Sequence, residues 1–108
     1  MAYDERLAAR VRALLAGRTD VSERKMFGGL TFMIGGNMCC GVNREELIVR
    51  FDPGREDDAL ARPHARPMDF TGRRMGGFIT VHPDGLAGGH LDRWVHEAVA
   101  RAESLPPK

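Results

Sequence analysis

Between residues 25 and 51 the chain alternates apolar and polar positions in short runs broken by paired glycines, a pattern that an antiparallel meander satisfies and a helix does not. From 26 to 34 the even positions are Met26, Gly28, Leu30, Phe32 and Ile34, an apolar face of period two. Gly35-Gly36-Asn37 follows as turn chemistry, because glycine and asparagine tolerate positive φ. A second strand carries Met38, Cys40 and Val42, and a third carries Leu47, Val49 and Phe51. Slipping the register by one residue would move a whole apolar set to the other face. A two-residue turn sets Ile34 and Phe32 beside Asn37 and Cys39. A three-residue turn at 35–37 instead pairs Ile34 with Met38 and Phe32 with Cys40, and is therefore expected, with its glycine bulge. The next connection, Asn43-Arg44-Glu45-Glu46, then pairs Val42 with Leu47 on the same face.

Helical spacing appears on either side of the meander. Tyr3, Leu7, Val11, Leu14 and Leu15 form a stripe over 3–16, with Asp4 and Glu5 in the first turn and Gly17 as a stop. Residues 55–62 are a short helix candidate, and Pro63 and Pro67 are expected to bracket a loop. A strand is expected over 75–82, closed by Pro83-Asp84-Gly85. A last helix over 90–104 carries Leu91, Trp94, Val95, Ala98, Ala102 and Leu105 and ends at Pro106-Pro107. The order α-βββ-α-β-α, with mainly antiparallel pairing, defines an α+β, two-layer fold with helices on one face of the sheet. With 108 residues, one domain spanning 1–108 is expected. Folding at that size removes roughly 65% of the unfolded chain's surface from water, enough for a core without disulfides or metals.

The opposite sheet face carries Phe27, Met33, Cys39 and Ile48 among Lys25, Thr31 and Arg50. That is more apolar than a solvated face requires. Two readings follow. It is a partner surface, with Phe27, Met33, Cys39, Ile48 and Arg50 as the candidate interaction residues, or it is covered by the final helix or the 63–74 loop.

No catalytic, metal or cofactor site is expected from motif spacing. The glycine pairs lack both dinucleotide and P-loop patterns, and turn or bulge roles suit them better. Cys39, Cys40, His64, His82, His90 and His96 match no zinc spacing. Cys39 and Cys40 are adjacent and point apart in a strand, so a bridge between them would be strained; reduced thiols in a cytoplasmic protein are expected. A small thiol- or metal-dependent enzyme pairing one of these cysteines with a histidine is the alternative. Net charge is only +1, but Arg62, Arg66, Arg73 and Arg74 oppose Asp69 alone over 62–74. This basic patch is either a solvated loop or a weak nucleic-acid site. Neither a secretory leader nor a membrane span is expected from the apolar runs.

Lys25-Met26-Phe27-Gly28-Gly29, then Phe32, a Gly-Gly turn and Leu47-Ile48-Val49-Arg50, resemble the N-terminal domain of the TfoX/Sxy family. The resemblance continues through Met75-Gly76-Gly77-Phe78 and the final helix. It implies a fold similar to secretion chaperones and action by macromolecular contact, with no catalytic residue to carry over. Met26, Phe27, Gly28, Gly29 and Arg50 would be fold-defining. Proteins of that family regulate competence genes in bacteria, which implies a regulatory, transcription-linked, protein-binding role, with a homodimer as one arrangement. Full-length competence regulators have a second, C-terminal domain; a stand-alone first domain is expected here.

Overall fold

The computed structural model, which describes residues 3–26, 28–70 and 73–107, folds as one six-stranded sheet with three helices on one of its faces. The strands are β1 (Val21–Met26), β2 (Gly29–Ile34), β3 (Asn37–Asn43), β4 (Glu46–Arg50), β5 (Ala65–Phe70) and β6 (Arg73–Val81). They lie in the order β1-β2-β3-β4-β6-β5, and every neighbouring pair is antiparallel. The helices are α1 (Glu5–Leu14), α2 (Glu56–Leu60) and α3 (His90–Glu103). The α+β class and the succession of helix, meander, helix, strand and helix are as expected. Two edge strands, β1 and β5, add to that succession.

Both edges lack the alternation that marks a half-buried strand. β1 reads Val-Ser-Glu-Arg-Lys-Met and is exposed along its middle, where charged side chains protect a free edge from further pairing. The 26–34 run is consequently divided: Met26 ends β1 and pairs with Gly29 of β2, with Gly28 between them at φ +74°. β5 contains Pro67, which has no N–H to donate and is tolerated at a sheet edge.

The meander's register agrees with the expected one at its centre and differs at its turn. Phe32 lies opposite Cys40, and Val42 opposite Leu47. The three-residue turn, however, is a two-residue turn at Gly35-Gly36, with Ile34 opposite Asn37 and Met33 opposite Met38. Both glycines take positive φ, +58° and +82°, the conformation of the tight hairpin turn that matches strand twist. The additional residue needed to keep Phe32 against Cys40 is Cys39, a β-bulge within β3. The turn is held from outside as well: the Gly35 N–H donates to the Asp20 carbonyl (3.0 Å), and the Asn37 side chain donates to the Pro106 carbonyl (2.8 Å).

α1 starts later than its apolar stripe suggests. Asp4 caps it, accepting from the Arg6 and Leu7 amides. Tyr3 instead bridges to Arg44, and the Asp4 N–H donates to the Arg44 carbonyl (2.5 Å). Leu7, Ala8 and Val11 of α1, Ala59 of α2, and Leu91, Trp94, Val95, Ala98 and Ala102 of α3 join one core with Leu30, Phe32, Ile34, Val42, Leu47, Val49, Ile79 and Val81. Trp94 meets Phe51 edge-to-face at 5.9 Å between ring centroids, an arrangement that adds to the area both rings bury.

Gly29 tests the β2–β3 pairing. A Cβ there would stand 2.1 Å from the Val42 carbonyl oxygen, inside contact distance, whereas one on Gly76 meets nothing within 4 Å. Gly29→Ala is expected to cost about 2 kcal/mol or more in urea unfolding, with Gly76→Ala within about 0.5 kcal/mol of the parent. Equal midpoints for the two variants would refute the register.

Candidate functional site

The sheet face away from the helices is a small apolar cluster. Met33, Met38, Ile48 and Met68 are buried together, with the half-buried Phe78 packed against them. Strand alternation places Met33, Ile48 and Arg50 on this face, and Arg50 is half-buried. Cys39, expected on this face, is not there. It belongs to the helix-side core and is fully buried there, because the bulge takes it out of the simple alternation of β3. Phe27 lies outside the described residues. Of the two expected covers, the final helix packs on the opposite face, whereas Ala65–Phe70 of the 63–74 segment, folded as β5 rather than as a loop, supplies Met68 to the cluster. A register shift helps to place it: between Pro67 and Met68 the partners jump from Ile79 to Met75, leaving Gly76, Gly77 and Phe78 of β6 on the bend. Gly77 sits at φ +81°, and its carbonyl accepts from the Phe51 N–H (2.6 Å).

Arg62 and Arg66, the two basic residues of 62–74 whose side chains are described, lie on opposite faces of the sheet. Arg62 forks onto the Glu97 carboxylate on the helix side, its second contact at 2.9 Å, and lies 4.6 Å over the Trp94 ring and 5.5 Å from that of Phe51. This ion pair raises the Arg62 pKa and holds the Glu97 carboxyl below its usual range, chiefly through their hydrogen bonds. Arg66 is on the other face, forked onto Glu46 at 2.5 and 2.8 Å. The side chains of Arg73 and Arg74 lie outside the described residues.

Cys39 and Cys40 are both inaccessible to solvent. The Cys40 thiol is pushed well up, first by its hydrogen bond with Cys39 and then by burial. Both effects oppose the thiolate a nucleophile needs. His64, His82, His90 and His96 are all exposed. His64 and His82 come together with Asp84: one ligand-type atom from each lies within 4.8 Å of the others. No motif spacing announces this grouping. It depends on the Ala65–Val81 end of the β5–β6 pairing, which sets the residues flanking the two strands side by side.

These features define a two-layer α+β domain with a helix-covered core and a methionine-rich second face. The chain belongs to the TfoX N-terminal domain family, whose model matches residues 13–102 of its 108. No curated protein and no solved structure matches it. Among the described residues no helix is long and apolar enough to cross a membrane.

The Arg62–Glu97 pair carries a pH signature. A depressed carboxyl pKa contributes stability above the unfolded value, about 4.3, and loses it as pH falls through the folded value. Glu97→Gln is expected to lower unfolding free energy by about 2 kcal/mol at pH 7, with the gap to the parent closing below about pH 4. A pH-independent gap would assign the loss to packing alone. The thiols give a second check: the native protein should react slowly with an aromatic disulfide reagent, and the unfolded chain should titrate both sulfurs at once.

Proposed function

We propose that the domain is a non-catalytic regulatory module that acts in the cytoplasm by binding a protein partner on the sheet face opposite its helices. One observation carries the reading: Phe78 and Arg50 stand paired and half-buried over the second apolar cluster of Met33, Met38, Ile48 and Met68. The methionines lie buried beneath as an adaptable floor, and a half-buried aromatic beside an arginine is the residue pairing that interface hot spots favour. Membership of the TfoX N-terminal domain family supports the regulatory half of the reading, since the resemblance is to competence regulators. A second copy of the chain is the simplest occupant of this face, because a two-fold interface is self-complementary and would lay the Phe78 and Arg50 surface of each copy on the same surface of the other.

The burial of both thiols argues against nucleophilic chemistry at Cys39 or Cys40. The ion pairs of Arg62 and Arg66 reduce the positive charge available to phosphates, which favours a protein partner over nucleic acid.

The test compares the tagged parent with a Phe78→Glu/Arg50→Glu variant of unchanged thermal midpoint. Sedimentation across a wide concentration range reads self-association, and quantitative affinity capture from host extract reads other proteins. The reading expects a dimer, or a captured protein, that the variant loses. A parent and variant that sediment identically and retain the same proteins overturn it.

A further inference from the structure

We propose that His64, His82 and Asp84 form a binding site for a divalent cation of the zinc class. Two imidazoles and one carboxylate are the donor set that borderline divalent metals select, whereas calcium and magnesium favour oxygen alone. Their candidate ligand atoms lie within 4.8 Å of one another. Bound to one tetrahedral ion with bonds of about 2.0–2.1 Å, such atoms stand roughly 3.3 Å apart. Rotation of exposed side chains spans that difference, and all three residues are exposed.

The backbone holds the three together independently of any metal. The His82 N–H donates to the His64 carbonyl (3.0 Å), which fixes the two residues side by side, with ring centroids 6.0 Å apart. His64 has φ +67°, an uncommon conformation for histidine. The absence of a side chain at position 85 leaves the room it needs: a Cβ on Gly85 would stand 2.9 Å from the His64 Cβ. Asp84 follows His82 in a single 3-10 turn, Pro83–Gly85, that sends its carboxylate back toward the ring. His82 Nδ1 already accepts a hydrogen bond from the Asp84 amide (3.1 Å) and lies 3.6 Å from Asp84 Oδ2. A cation entering between it and the carboxylate exchanges one backbone hydrogen bond for a coordinate bond.

The neighbouring cavity gives the fourth coordination position somewhere to open. It encloses about 260 Å³ and is lined by Arg62, His64, Asp84, His90, Arg93 and Trp94. Three protein ligands with an open position is the arrangement in which zinc retains water or a small ligand.

Isothermal titration of the intact chain with Zn²⁺, backed by the visible spectrum of a Co²⁺-loaded sample, tests the site. The variants His64→Asn, His82→Asn and Asp84→Asn each remove a ligand but keep the local backbone, since asparagine tolerates positive φ and caps turns. Each should weaken Zn²⁺ binding ~10-fold or more. His96→Ala, which lines a different groove between α1 and α3, should leave it unchanged, and Mg²⁺ should not compete. No Zn²⁺ binding, or binding that all three variants retain, overturns the assignment.

Discussion

The arrangement of both sheet faces depends on one additional residue in the middle of β3. Without it, a tight Gly35-Gly36 turn would place Phe32 beside Cys39 and shift every side chain of β3 beyond it by one place. With Cys39 bulged out, Met33 still meets Met38 near the turn, while Phe32 meets Cys40 and Val42 meets Leu47 farther along. The helix-side row Phe32–Cys40–Val49–Ile79 then runs unbroken across four strands. Behind it, Thr31–Gly41–Ile48–Thr80 runs along the opposite face. The bulge thus satisfies two demands that compete: a two-residue turn whose φ angles suit strand twist, and a parity that keeps the core on one side.

This also explains how much of the fold was legible in the sequence. Apolar periodicity reports side chains facing a core, so the central strands and the two long helices could be read directly. It reports parity and says nothing of where an additional residue resides, so the offset between Phe32 and Cys40 reads as a longer loop when it belongs to the strand. β1 was illegible for a different reason. An edge strand with Ser22, Glu23, Arg24 and Lys25 exposed has no apolar alternation to detect. β5 was hidden by Pro67, ordinarily a sign against a strand and here permitted by its edge position.

Charge follows the same division between local and non-local information. Arg62 and Arg66 read as a basic run because sequence places them together, yet adjacent elements separate them. Arg62 has its aromatic platform in Trp94 and Phe51 and its counterion in Glu97, so it ties the segment after α2 to α3. Arg66 is tied to Glu46 across the other face. Arg12 pairs with Glu23, and Arg18 with Asp20 and Glu103, joining helix ends to the β1 side of the sheet. Exposed pairs of this sort contribute little individually. The Arg62 pair is the better sheltered, and its guanidinium is stacked as well as hydrogen-bonded, so more is lost if it is broken.

The candidate sites differ in legibility for the same physical reason. Met33, Ile48 and Arg50 were identifiable because strand alternation assigns a face from local sequence alone. Met68 is not identifiable in this way, because the prolines of its segment read as a loop and it reaches the face through a shift in register between β5 and β6. His64, His82 and Asp84 were still less accessible to sequence reasoning, because a donor set built from residues flanking two paired strands has no fixed spacing. Their approach requires the β5–β6 pairing, the positive φ of His64 and the bare Cα of Gly85 at once. A chain can meet all three conditions for the sake of the turn alone. What distinguishes a metal site from a crowded turn is whether the three donors act as a unit, so that the loss of any one weakens the same binding event.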